Sequence, residues 1–492
     1  MRNWMAGLAL ATTLGGHALA QTPPAASTDW GEALREDAQA LHDIIADSHP
    51  GPVDAENPAF KPLLEQGLTL ALQRAAKATT YEDWNFAMEQ YVASFDDAHL
   101  ALTKFQPNPN PWRAYWPGFL TIQRGDVNVV SFNRDPAAPP LGAELVSCDG
   151  KAADAFAADF IGAGLGRWNL KARREVYSNT LFVDQTNPYV HRPDRCVFKV
   201  DGVERSFDLQ WRDLPDAVRD EGLATGRNMP FQTPIELRPF GANGVWVGLG
   251  SFESKAGDPE TMAMTALQTQ VAAEAEALRG ADIIVFDLRG NGGGSSAYVT
   301  AMARSLWGDA WVDQHVPRAQ GVDWRASQAN LDQMTSYLPQ FADNPTVLAW
   351  VRQIVAGLTE TRAQGRELWR QDSGDASAAA PVAGAATPMH ARAYVFTDYA
   401  CVSACLDAVD TLTAAGAIHV GQETSADTVY MDIREQALPA GRVSVVVPMK
   451  VYRGRARGNN ETAVPTHEWT GALSDTAGIE AWITRLNAAS QD

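Results

Sequence analysis

Ser403 stands in Cys401-Val402-Ser403-Ala404-Cys405, between the apolar run ARAYVFTD and the text SACLDAVDTLTAAG. Leu406, Val409 and Leu412 repeat an apolar residue every third position, which predicts a helix opening at Ser403. A hydroxyl at a strand-to-helix turn can project from a sheet edge, and the free N–H groups of a helix start favour negative charge beside it. A serine nucleophile for acyl transfer needs both conditions. An ordinary Ser N-cap uses the same residue with no chemistry. A second segment, Asp287-Leu288-Arg289-Gly290-Asn291-Gly292-Gly293-Gly294-Ser295, joins an apolar strand to a helix. Its glycines let backbone amides approach a ligand and stabilise an oxyanion. It lacks the Gly-Lys-Ser/Thr ending of a phosphate loop, so nucleotide binding is not indicated. The third segment is Ser94-Phe95-Asp96-Asp97-Ala98-His99-Leu100. A loop histidine beside acids can act as a general base.

The elements that must position these groups follow from periodicity. Residues 29–100 are mostly helical: EALREDAQALHDIIADSHP, PAFKPLLEQGLTLALQRAAKA and YEDWNFAMEQYVASF make three amphipathic helices. PNPNPW breaks the pattern, and short β-rich runs with Asp-Gly turns follow, from FLTIQRG to RSFDLQW. Beyond about residue 230 the pattern is α/β. GVWVGLGSF, ADIIVFDLRG, ARAYVFTD, AIHVG and GRVSVVVPMKVYRG are strands, with helices between them. The continuous apolar text of ADIIVFDLRG predicts a strand covered on both faces. The divisions are 1–20, a signal peptide; 21–106, a helical domain; 107–215, a β domain; and 216–492, an α/β core with a flexible loop at 371–388.

Composition narrows the function classes. At 492 residues the chain has room for about three domains of ~150 residues. Lys plus Arg is 40 and Asp plus Glu 59, a net charge of 40 − 59 = −19. That charge repels phosphate backbones and anionic membranes, which argues against nucleic-acid and membrane partners. MRNWMAGLALATTLGGHALA has a positive start, an apolar run and Ala18-Leu19-Ala20 before Gln21, the pattern of a cleaved secretory signal. No other apolar run is of membrane-spanning length. The expected location is the periplasm or the exterior of a bacterium. In that oxidising setting Cys148 and Cys196, both in strand-like text, are expected to form a disulfide. Cys401 and Cys405 are four apart, a spacing that fits a bridge poorly in a helix. No cysteine has metal-ligand spacing with a nearby histidine, so no metal is expected. His49, before Pro50, is expected in a turn, and His419 as a structural residue. Arg289 either anchors its loop by an ion pair or faces solvent. The 15 Trp are mostly packing.

Taken together, DLRGNGGG, TDYACVSACLDAVDTLTAAGAIHVGQET and the upstream DDAHLAL resemble the tail-specific or C-terminal-processing serine protease family, in its tricorn-core-like branch. HPGPVDAENPAF and PPLGAELVSCDGKAADAF are similar to further text of that family. The resemblance covers most of the chain after residue 20. It implies an α/β fold with a crotonase/ClpP-like protease core, an N-terminal helical bundle and a PDZ-like β module that could take a peptide end by strand addition. It implies Ser403 as nucleophile and an oxyanion hole from the amides of Ala404 and of Gly293 or Gly292. No cofactor is implied, and the partners are protein or peptide substrates.

The departures set the branch. Leu406 replaces the acid of the family's serine motif. GQETSAD carries none of the Lys that many members use as base, and the next Lys is Lys450, in another strand. The resemblance to the tricorn-like branch instead implies His99, in Asp97-Ala98-His99, as base. It implies Glu461 as the orienting acid, 461 − 403 = 58 positions after Ser403. Asp96, Asp97 and Glu423 compete for that orienting role. Ala98 stands where that branch can carry a Ser. The expected function is therefore a serine endopeptidase. The alternatives are an esterase or a non-catalytic binding protein on the same fold.

Overall fold

The computed structural model describes residues 28–108, 113–224, 231–255, 257–317, 319–372, 384 and 386–489. The signal-like segment and most of 371–388 lie outside the described residues.

Three helices come first, Trp30–Ser48, Phe60–Ala75 and Tyr81–Ala93. Local chemistry starts two of them. Asp29 accepts the Glu32 amide, and Thr80 and Asp83 form a reciprocal capping box. Their apolar faces (Leu34, Leu41, Ile45, Trp84, Met88) bury against Val445, Val447 and Val451 of strand Ser444–Arg453. That strand organises an antiparallel sheet in the order Ala101–Thr103, Ser444–Arg453, Gly321–Arg325, Leu368–Asp372, with Tyr430–Ala437 on its other flank. The helices Gln328–Gln340 and Pro345–Ala363, and the strands on either side of them, had no counterpart in the periodicity reading.

A second sheet is built from Phe119–Arg124, Val127–Asn133, Glu144–Cys148, Arg195–Val200 and Val203–Asp208, with Lys151–Ala152 at the side. Cys148 sits directly opposite Cys196 in this antiparallel ladder, and the two are disulfide-bonded.

The third sheet positions the chemistry. Its order is Glu236–Phe240, Gly244–Gly248, Ile283–Asp287, Arg392–Thr397, Ile418–Gly421, His467–Glu468, and each neighbouring pair after the first is parallel. Every residue of Ile283–Asp287 is buried. One face packs on Leu406, Val409 and Leu412 of helix Ala404–Ala415, the other on Ile479 and Ile483 of helix Thr476–Ala489. Burial on both faces is why this strand's text is continuously apolar. In-register parallel pairing of Asp287 with Phe396 brings the glycine loop and the Ser403 turn out of the same carboxyl edge, side by side.

Candidate active site

Arg289 anchors the glycine loop. Its guanidinium is fully buried and pairs with Asp287 at 2.6 Å; Thr233 and Trp246 donate to the same carboxylate. A buried charge so fully partnered makes a rigid base for the loop. Asn291, also fully buried, donates to Leu249 O and accepts the Gly293 amide at 2.8 Å. Gly293 has φ +102°, and a β-carbon on it would lie 2.8 Å from Ser403 Cβ and 3.2 Å from the Ala404 nitrogen. Gly294 at φ +128° is pressed onto Phe252 O, where a β-carbon would stand at 1.9 Å. Gly293 and Gly294 are therefore required by close approach. Gly292 is exposed, and among the described residues nothing accepts its N–H.

Ser403 precedes helix Ala404–Ala415 but is not an ordinary cap. Its φ is +59° and ψ −128°, and its side chain makes no capping hydrogen bond. A residue with a β-carbon holds such a backbone only where its surroundings enforce it, at a cost of about 1–3 kcal/mol. The conformation belongs to a sharp strand-to-helix turn that lifts a hydroxyl off the sheet. The following amide, Ala404 N–H, opens the helix and has no acceptor among the described residues. The segment is not helical at Cys401, so Cys401 and Cys405 have Cα atoms 5.3 Å apart and are disulfide-bonded. Contrary to the expectation from helical spacing, the bridge forms because the helix begins only at Ala404.

Asp398 joins the two loops. Its carboxylate accepts the amides of Gly290 and Ala400, at 3.0 Å each, and it is buried. Burial pushes its carboxyl up to about 7, against those two amides; Asp287 adds to the rise and Arg289 opposes it. Sequence reasoning passed over Asp398, which looks like the end of a strand.

His99 hangs on a different framework. Asp97, one of its flanking acids, is buried and accepts the His99 amide at 2.9 Å, Thr428 Oγ1 at 3.0 Å and His49 Nε2 at 3.2 Å. His49 is completely buried, stacked on Phe60, and its Nδ1 accepts the Gly51 amide at 2.8 Å. An Nδ1 that accepts carries no proton, so His49 is neutral and donates from Nε2. Burial lowers its pKa accordingly, against Asp97. Burial alone would raise the Asp97 carboxyl; the hydrogen bond from His49, with His99, brings it below its usual value. His49 is thus in a turn, as expected, but it also anchors the loop that carries His99. Its one sequence signal was the HPGP text.

Asn460 donates to Asp96 O at 2.8 Å, tying the segment that carries Glu461 to the His99 loop. The Glu461 carboxylate itself accepts the Gly458 amide at 2.8 Å and is exposed. Glu423 accepts Thr462 Oγ1, and Asp96 accepts the Arg167 amide. His99 Nδ1 is buried and has no partner among the described residues. None of the acids weighed as orienter therefore holds that nitrogen in this structure.

The two frameworks meet. Asp407 and Asp410 of the Ser403 helix pair with Arg455 and Arg457, and both arginines pair with the fully buried Asp427, next to Thr428. A cavity of about 560 Å³ is lined by Ala98 beside His99, by Val402 beside Ser403, by Gly290 and Asp398, and by Val176, Phe231 and Tyr399. Lys450 faces elsewhere. It pairs with Asp432 at 2.9 Å, and although burial opposes its charge, Asp432 and Tyr452 hold it at about 12, so it stays protonated. His419 is buried against Thr397 Oγ1 at 2.7 Å, a structural contact as expected. Among the described residues there is no cluster of His, Cys, Asp and Glu suited to a metal ion, and no helix long and apolar enough to cross a membrane.

No family sequence profile matches the chain, and no curated protein sequence does. Solved structures match. Mature CPAF is 12% identical over 94% of this chain and 99% of its own, with a TM-score of 0.56. CPAF complexed with lactacystin gives 12%, 94%, 100% and 0.54. The photosystem II D1 C-terminal processing protease is 13% identical over 91% of this chain and 96% of its own, with a TM-score of 0.30. The chain therefore has the fold of CPAF.

Proposed function

We propose that the protein is an exported serine endopeptidase. Ser403 attacks the peptide carbonyl, His99 takes its proton, and the amide of Ala404 with one glycine amide holds the oxyanion. Gly293 is favoured for that second amide by its contact with Ser403, and Gly292 by its uncommitted N–H. Glu461 steadies His99, whose open Nδ1 is the position such an acid would fill. Water then hydrolyses the acyl-enzyme. The mainly β domain presents the chain end of a substrate to the site.

The observation that carries this reading is the Ser403 backbone. It is strained, does not cap its helix, and lies against a glycine loop beside an unpaired helix amide. A capping serine needs none of these. The neighbouring CPAF fold, solved in complex with lactacystin, supports the same class. Two disulfides and no free cysteine among the described residues support an exported chain.

The test is a digest of a mixed peptide library by the protein from residue 21, read by mass spectrometry, with Ser403→Ala as control. Cleavage by the unmutated protein alone is expected. Turnover of esters without peptides would move the reading to an esterase. No turnover by either protein would move it to a binding protein.

A further inference from the structure

The two disulfides differ in what they enclose. Cys148–Cys196 spans 48 positions and ties neighbouring strands. Cys401–Cys405 spans four, and the residue at its centre is Ser403. The stabilisation a bridge gives through the unfolded chain grows with the loop it closes, so the shorter bridge restrains little there. Its effect is on the folded turn.

That turn is where restraint is needed. Both sulfurs are fully buried. Cys401 N–H donates to Asp398 O and Cys405 N–H to Val402 O, so the bridge joins the last strand turn to the first helical turn. Between them Ser403 holds φ +59° with a β-carbon, a region that residues other than glycine leave when allowed. The relaxed alternative is an ordinary N-cap with an extended backbone, in which Ser403 Oγ accepts an amide of the first helical turn. That state spends the hydroxyl on the helix and turns it away from the glycine loop.

We propose that the Cys401–Cys405 bridge is a positioning element for acylation: it keeps Ser403 out of the capping conformation and holds its hydroxyl beside the Ala404 amide. The proposal rests on Ser403 being the nucleophile. It makes the paired sulfurs part of the active-site scaffold, and the long bridge a support of the β domain only.

The experiment compares Cys401→Ala/Cys405→Ala with Cys148→Ala/Cys196→Ala, using Ser403→Ala as blank. Three quantities are read: the rate of labelling by a fluorophosphonate probe, kcat and KM on one cleaved peptide, and the melting temperature. Removing the short bridge is expected to slow labelling and kcat about 10-fold or more with KM within about twofold, since a small misplacement of a nucleophile costs this much. Removing the long bridge is expected to lower the melting temperature and leave labelling of the folded protein unchanged. A folded short-bridge variant that labels and turns over at the unmutated rate overturns the proposal. If that variant does not fold, phosphine-reduced protein replaces it, verified by mass to carry two thiols at 401 and 405, with the same two outcomes. Absence of Ser403 labelling in the unmutated protein overturns the nucleophile reading itself, and is seen before any cysteine is changed.

Discussion

The nucleophile and the base stand on frameworks of opposite kind. The Ser403 turn and the glycine loop leave adjacent parallel strands, and the ladder that pairs Asp287 with Phe396 sets their spacing. Several of their contacts are short in sequence, Arg289 to Asp287, Gly293 to Asn291 and Cys401 to Cys405, and Asp398 reaches Gly290 across 108 positions to join the two loops. The loop that carries His99 is held by contacts that reach farther along the chain. Asp97 reaches His49 across 48 positions and Thr428 across 331, and Asp96 reaches Asn460 across 364. The more of its partners are distant, the more a half-site depends on closure of the layers that bring them together.

The comparison can be broken at four places, taken from the largest effect to the smallest. Ser403→Ala and His99→Ala should each lower kcat/KM by at least about 10³-fold, and the double variant should fall no further than either alone, because the two act as one unit. Additive losses would mean that they do not cooperate. Asp97→Ala removes a buried carboxylate and strands three donors, which should cost about 1–3 kcal/mol for each that stays unsatisfied. Thermal unfolding should register this as a clear drop in melting temperature, together with lost turnover. An equal loss of turnover at unchanged stability would show that Asp97 acts in the chemistry and not in holding the loop.

Glu461→Gln should lower kcat about 10-fold with KM unchanged, the size of an orienting contribution to a histidine base. Full activity in that variant would leave His99 without its proposed acid.

The smallest effect concerns the joint between the two loops of the nucleophile half. The Asp398 carboxyl rises from 3.8 to about 7 on folding. Between those values the folded chain keeps a proton that the unfolded chain has released. The contribution of this group to stability is therefore full below 3.8 and is lost as pH rises through about 7. Asp398→Asn carries no such proton, so its melting temperature relative to the unmutated protein should climb as pH is raised across that window. A difference independent of pH would mean that Asp398 is ionised throughout.

Much of the nucleophile half was legible in the text. An apolar strand, a short turn and a three-residue stripe placed Ser403 at a helix start, and consecutive glycines marked a loop of close approach. These are local signals. The strain at Ser403 was not legible, because it arises from the meeting of two loops. The base half was legible only by resemblance. Nothing in the local sequence distinguishes a turn histidine from His49, whose role exists once Thr428 and Asp97 have come beside it. The region 309–372 was opaque because its helices are only partly apolar and its strands are short.

What the sequence indicated by itself is the strand–turn–helix that carries Ser403, the glycine loop, and Cys148 and Cys196 as expected partners. Each is written in periodicity, in glycine's freedom of backbone, or in strand text. The tertiary structure alone decided the Cys401–Cys405 bridge, the Asp398 joint, the neutral His49 beneath His99, and the engagement of Glu461 with Gly458. These depend on distances between side chains remote in sequence, or on a backbone turn set by its neighbours. Packing settles such distances only when the layers close.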